Sequence, residues 1–390
     1  MIRSAIDYAR YFAHALSAAE VRSVLLAQHD VSGPAQLADR MALRAVIDHL
    51  CRCQDHGTDA GFGSYHLVHG HGPSYPETTG YIIPTFLAAA EVLDLPTLRH
   101  RALQAADWLL SIQRADGGWQ GGRVGEERAS VVFNTAQVLR GMLAAHAFSG
   151  HRAYLDAAVR AGDWMVRVQE RDGSWAHHNF LGSSRVYDSY VDAPLLHLHA
   201  LTGTSVYREA ARLNLEWVLG RQASNGWFAD ADNTIKHNDR PITHTIAYTL
   251  DGLLECHAFT QDDRYLKAAE RAALVLRDRF LEHGTLNGRY DARWRGSEST
   301  ITTGCAQLAI VWSRLQAITH EPDYDSAAKR MVDLLKQVQH TSSSGPSAAQ
   351  GGVTGSFPLW GRYEKFAYPN WAQKYLADAL LCREGILPRF

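Results

Sequence analysis

The chain predicts an all-α protein, an (α/α)6 toroid of six helical hairpins with long loops gathered at one mouth. Two observations predict it. The first is a repeat: WLLSIQRADGGW at 108–119 recurs as WMVRVQERDGSW at 164–175 and as WVLGRQASNGWF at 217–228. Each copy carries an aromatic residue, an apolar pair, a glutamine, Asp/Asn-Gly and a second aromatic. A weaker copy ends at Tyr65, another runs from Val332 through Gln337 to Phe357, and a degenerate copy without glutamine occupies 276–290. Gln54, Gln113, Gln169 and Gln222 are separated by 59, 56 and 53 residues, and Gln337 follows after 115, about two periods. Six units of roughly 57 residues fill the chain, and a fixed period of this size marks units that bury their apolar faces on one another. The second observation is alternation. Each amphipathic motif helix leads through a Gly-containing loop to a segment apolar almost all round, at 79–94, 132–148, 190–202, 243–259, 301–316 and 370–382. Such helices are buried, so six inner helices ringed by six outer ones follow.

Taken in order, residues 1–35 read as a helical preface closed by the turn signal Gly33-Pro34. Leu37, Met41, Leu43, Val46, Ile47 and Leu50 repeat close to the helical period. The stretch GFGSYHLVHGHGPSYPETTG holds too much Gly and Pro for regular helix, and Tyr81–Leu93 is the first inner helix. The uninterrupted repeat argues for one domain over 1–390, with 1–35 as its extension. With 390 residues and 46% hydrophobic content, a large core is available. A net charge of −2 gives no electrostatic footprint for nucleic acid. The five cysteines (Cys51, Cys53, Cys256, Cys305, Cys382) form no CxxC pair, which signals neither disulfides nor zinc. His66, His69 and His71 fit no standard ligand spacing, and no metal or cofactor is expected. The N-terminus reads as an amphipathic helix rather than a signal peptide, and no apolar run of about 18 residues exists. The expectation is a cytoplasmic protein with no membrane span; the sequence leaves its oligomeric state open.

Short connections make neighbouring helices antiparallel, so all six inner helices begin at one end. Their starts supply Tyr75, Glu77 and Tyr81; Asn134 and Gln137; Tyr190 and Asp192; His244 and Tyr248; Thr303 and Gln307; and Tyr368, Asn370 and Lys374. N-capping accounts for residues such as Thr243 and Thr302. It does not account for Tyr81, Tyr190, His244 or Tyr248, nor for Gln137 and Gln307 a turn inside apolar helices, where a polar group needs a partner or a wet cavity. The loops ahead of the inner helices add Trp175, His177, His178, Arg185 and Tyr187; Phe228, Lys236, His237, Asp239 and Arg240; Trp294; and Trp360, Tyr363, Tyr368 and Trp371. Aromatic planes beside hydrogen-bonding groups suit sugar rings; the alternative is that they pack the loops onto the rim.

The motif resembles the QW repeat of squalene-hopene and oxidosqualene cyclases, carried by Trp108, Leu109, Gln113, Gly117 and Trp119, and by Trp164, Met165, Gln169, Gly173 and Trp175. In that family the repeat is structural. The cyclases' DxDD acid is not matched: Asp230-Ala-Asp232-Asn233 ends in Asn. The segments SYPETTGYIIPT, VFNTAQVL, THTIAYTLDGLLE and YPNWAQKYLADAL resemble a bacterial family encoded among surface-polysaccharide genes. The expected fold resembles that of six-hairpin carbohydrate enzymes: unsaturated uronyl hydrolases, glucoamylases, N-acylglucosamine 2-epimerases and the toroids of polysaccharide lyases.

These resemblances imply a saccharide substrate, and the residues divide the chemistry. Proton abstraction at a uronate C5, by a lyase or epimerase, is the leading expectation. His244 would act as base or acid, Tyr248 or Tyr190 as its proton-transfer partner, and Asn134 as a donor to the substrate carboxylate. Tyr81, Gln137, Asp192, Trp175, His178, Arg185, Arg240, Trp360, Tyr363, Tyr368 and Asn370 would bind the saccharide, with Arg185, Arg240 or Lys374 matching its charge. A glycoside hydrolase using Glu77 and Asp192 is the alternative. A third reading is a non-catalytic toroid that binds saccharide or polyprenyl chains.

Overall fold

The computed structural model describes residues 2–27, 37–234, 239–343 and 345–386. Gly33-Pro34, Lys236 and His237 lie outside the described residues. Two helices, α1 (Ile2–Ser17) and α2 (Ala19–Ala27), precede the barrel. The outer helices are α3 (Asp39–Asp55), α5 (Thr97–Ser111), α7 (Arg152–Arg167), α9 (Ser205–Leu219), α11 (Asp263–His283) and α13 (Pro322–Val338). The inner helices are α4 (Pro76–Val92), α6 (Val132–Ser149), α8 (Ser189–Thr202), α10 (Thr243–Thr260), α12 (Thr302–Thr319) and α14 (Asn370–Arg383). Each inner helix packs on the next, and α14 packs back on α4, which closes the expected (α/α)6 ring. Among the described residues sheet is confined to two-residue strands, such as β1 (Tyr65–His66), which lies between β2 (Gly70–His71) and β3 (Ala367–Tyr368). No described helix is long and apolar enough to cross a membrane.

The inner helices are buried over nearly every position: in α6 the run Val132–Ala145 is buried without a break. Glycine lets them approach closely. A Cβ on Gly304 of α12 would sit 2.7 Å from the backbone nitrogen of His244 in α10, so this contact requires a residue without one.

The motif glutamines join neighbouring units. Gln113 Nε2 donates to Gly117 O in its own turn and to Ala157 O in α7, both at 2.9 Å. Gln169 repeats this toward Gly173 and Ala210 (2.9 and 2.8 Å), and Gln222 toward Gly226 and Ala268 (3.1 and 2.8 Å). Gln54 does the same toward Ala60 and Arg101 in α5. In the last unit the bridging residue is Gln339, not the expected Gln337: its Nε2 reaches Ala42 O of α3 at 3.0 Å and Gly351 O at 2.7 Å, closing the outer ring. The degenerate unit has no glutamine, and at that junction the Arg277 guanidinium of α11 lies 4.8 Å above the Tyr324 ring of α13.

A second repeat, unexpected from the sequence, closes the inner helices at their far ends. His146, His199 and His257 each place Nδ1 3.0–3.2 Å from the carbonyl five residues on, which makes Nδ1 the protonated nitrogen. Ser149, Thr202, Thr260 and Thr319 donate to the carbonyl four residues back at 2.7–2.8 Å, adding a second donor to an oxygen of the closing turn.

Gln339→Ala removes two buried hydrogen bonds, worth about 1 kcal/mol each. Its thermal midpoint, followed by circular dichroism at 222 nm, is expected a few degrees below wild type, and Gln337→Ala is expected to lower it less. The reverse order would remove Gln339 from the ring.

Candidate functional site

The first turns of α4, α6, α10 and α14 converge, with their preceding loops, on one cavity of about 370 Å³. From the inner helices come Glu77, Thr78 and Tyr81; Phe133 and Asn134; His244 and Tyr248; and Trp371. The loops add Tyr75, Gly122, Arg123, Glu126, Arg128, Phe180, Tyr187, Asn233, Thr234, Tyr363 and Glu364. Glu77, Tyr81, Asn134, His244, Tyr248 and Tyr363, spread over nearly 300 residues of sequence, therefore meet as expected. Helix N-termini facing the cavity give it a positive field.

His244 is buried, and its Nδ1 lies 2.7 Å from Gln307 Oε1, so this nitrogen carries the proton. Burial pulls its pKa down to about 4, against the raising effect of Gln307. The ring is neutral at physiological pH, and a weak base. Tyr248 stands 4.6 Å from the His244 ring and 4.9 Å from that of Tyr190, with Tyr375 at 5.7 Å. Burial and the nearby Glu77 hold the Tyr248 phenol well above its usual pKa, so it is a donor rather than a phenolate. Asn134 Nδ2 is 3.4 Å from Tyr75 Oη, and Trp371 Nε1 donates to Tyr363 Oη at 2.9 Å.

Glu77 carries the site's most useful shift. Burial raises its pKa to about 7, with a hydrogen bond from Tyr75 opposing. Glu364 is also raised by burial, and the Arg123 guanidinium pulls against it. Its backbone is left-handed, at φ 44°, a conformation that costs about 1–3 kcal/mol in a non-glycine residue. Arg123 forms no salt bridge among the described residues, whereas Arg128 pairs with Glu126 at 2.8 Å. Arg123, Glu126 and Glu364 were missed in the sequence. They sit on loops without periodicity; the one available signal for Glu364 was its place in the aromatic-rich segment 355–371.

Eleven expected site residues do not line this cavity. Tyr190 lies beneath it, its ring 4.2 Å from the Arg140 guanidinium, and lines a second cavity toward the helix C-termini. Asp192 is fully buried with neither oxygen bonded, held protonated by burial and the nearby Asp188. That separates it from Glu77 and dissolves the expected carboxylate pair. Gln137 is likewise buried with its amide unpartnered. Trp175 packs in the core, donating to Met165 O at 2.9 Å. His178 meets the edge of Trp164 at 5.6 Å, and Arg185 is buried beside Asp188. Arg240 and Trp360 line a separate shallow groove with Tyr8 and Phe12. Tyr368 is buried against His49 and Tyr65, and Asn370 clasps Phe62 O (2.8 Å) and Thr78 Oγ1 (2.9 Å). Lys374 pairs with Asp378 at 2.7 Å in the second cavity. The three loop histidines do not converge: His71 stacks on His56 at 4.3 Å, while His66 and His69 face Tyr11.

A family model described as beta-L-arabinofuranosidase, GH127 catalytic domain, matches residues 27–280. No curated protein matches the chain. Among solved structures, an unsaturated glucuronyl hydrolase specific for heparin superposes with a TM-score of 0.70 at 14% identity, over 90% of this chain and 99% of its own. The unsaturated glucuronyl hydrolase of Bacillus sp. GL1 gives 0.70 at 14%, over 89% and 97%. An alpha-amylase from Clostridium perfringens gives 0.65 at 11%, over 88% and 98%. At these identities the likeness is one of fold.

Asp192→Asn separates the buried carboxyl from the cavity. The folded state raises the pKa of Asp192, so ionising it above the ordinary carboxylate range costs stability. The variant is expected to melt above wild type at pH 8, with a smaller gain at pH 5, and to leave any hydrolytic rate unchanged. A large loss of rate would return Asp192 to the site.

Proposed function

The chain belongs to the beta-L-arabinofuranosidase GH127 catalytic-domain family, and from that premise we propose that it is a glycoside hydrolase acting on an acidic saccharide. The observation that carries this reading is Glu77, a carboxyl with a pKa of about 7 in an aromatic-lined cavity. Glycoside hydrolysis asks for one carboxyl that is protonated near neutrality to donate to the leaving oxygen, and a second to attack or to activate water. Glu77 takes the first role. Glu364, beside Arg123, takes the second. Tyr75, Tyr363 and Trp371 offer ring faces to a sugar, and Asn134 and Tyr248 offer donors to its hydroxyls. Arg123 and the converging helix N-termini favour a uronate carboxylate. The names of the structural neighbours, glucuronyl hydrolases among them, agree with that class of substrate.

The same electrostatics weigh against proton abstraction at C5. A ring that accepts a proton only below about pH 4 and a phenol held above its ordinary pKa are both poor bases. The hydrolase alternative from the sequence is therefore preferred to the lyase or epimerase, with Glu364 replacing Asp192.

The test uses an aryl β-L-arabinofuranoside and an unsaturated glucuronyl disaccharide. Glu77→Gln is expected to lose about 10²–10⁴ in kcat, and less on an aryl leaving group that departs without a proton. In wild type, kcat/KM is expected to fall above an apparent pKa near that of Glu77, about 7, and this limb should vanish in Glu77→Gln. The same substitution should stabilise the fold. Raising a carboxyl from 4.5 to about 7 costs the native state on the order of 3 kcal/mol once ionised, so Glu77→Gln should melt above wild type at pH 8 and match it at pH 4. Unchanged kcat in Glu77→Gln, or an unsaturated product formed from a uronate polymer, would overturn the proposal. Saccharide binding without turnover would leave the non-catalytic reading.

A further inference from the structure

The face opposite the mouth carries a repeated feature that the site does not use. Phe148, Leu201, Phe259 and Ile318 are the penultimate residues of α6, α8, α10 and α12. All four are large, apolar and exposed, at 44%, 48%, 37% and 40%. Single exposed hydrophobes are ordinary; four at one helical position on consecutive neighbours form an arc, and an apolar patch with a polar border marks an interaction surface. The arc ends on both sides: the same position holds the exposed Glu91 in α4, and in α14 the half-buried Cys382, followed by Arg383.

Charge around the arc is divided. The α6–α7 tip carries Arg152, with Arg99 of α5 lying over the Phe148 ring at 6.0 Å, and α9 begins with Arg208 near its start. The α10–α11 tip carries Asp262 and Asp263, and the α12–α13 tip carries Glu321 and Asp323, all but Asp262 exposed. Arg264 is the exception on the acidic side, tied to Asp262 and Glu216. Arg152 is held only by an exposed pair with Asp156 at 2.8 Å, a type of contact worth little and easily exchanged.

We propose that this face docks on the same face of a second copy of the chain. A two-fold axis lying in the face, between the α8–α9 and α10–α11 tips, turns the arc onto itself. It sets Leu201 against Phe259 of the second copy, and Phe148 against Ile318. The same rotation sets Arg152 against Glu321 and Asp323, twice by symmetry, so apolar and charged elements match under one operation. The mouths then open outward at the two ends of the dimer.

Light scattering coupled to size-exclusion chromatography, at micromolar protein, is expected to give twice the 43.3 kDa of one chain. Arg152→Glu is expected to weaken the dimer about tenfold or more, and Arg152→Glu with Asp323→Arg to restore it. Leu201→Asp should yield monomer; the charge reversal and its rescue decide the matter even where that substitution impairs folding. Wild-type monomer overturns the proposal, including monomer that sediments with phosphatidylcholine vesicles. A dimer indifferent to Arg152→Glu overturns it as well, because the interface then lies elsewhere.

Discussion

The structure depends on one interaction made five times: a glutamine amide at the end of an outer helix, with both of its hydrogens used. One goes to the turn that follows and the other to a backbone carbonyl in the first two turns of the next outer helix. The first bond sets the angle at which the chain leaves toward the interior. The second sets the spacing between neighbouring hairpins. Because Gln339 reaches α3, the series ends where it began, and no unit has a free edge. The inner helices inherit their convergence from this outer frame. Glu77, His244 and Trp371 face one another because six hairpins close a circle, and no local sequence preference would bring them together.

Within that circle the cavity gives up stability for chemistry. Glu77 and Glu364 are carboxyls whose charge burial opposes, so the native state bears a cost once they ionise. Real proteins break local rules at functional sites and offset the cost elsewhere. Here the offset is the apolar inner ring, buried along almost the whole of each helix.

Much of the fold was legible because it is periodic. The 57-residue repeat and the all-apolar segments gave the helix pairs, and antiparallel hairpins gave the common end. What failed was the register of irregular parts. Gln339 was misread as Gln337 because its turn partner is Gly351, 12 residues on, whereas Gln113, Gln169 and Gln222 meet theirs four residues on. Tyr190 and Asp192 were placed in the mouth because they open α8. A short 3-10 turn at Val186–Asp188 precedes that helix, and its Tyr187 takes the place at the cavity while Tyr190 and Asp192 do not reach it. Arg123 and Glu364 were invisible for a different reason: only the long-range folding of two loops brings them to the cavity, and neither loop has a period to read.

The tyrosines below the cavity have a further consequence. Tyr81, Tyr190, Tyr248 and Tyr375 lie against one another across the barrel axis, with ring centres 4.9–5.7 Å apart where they pack. Arg140 and Lys374 back them from the far side. The toroid is thus a cup and not a pipe. Whatever enters the mouth leaves by the mouth, and the cavity on the far side of the tyrosines is a separate one.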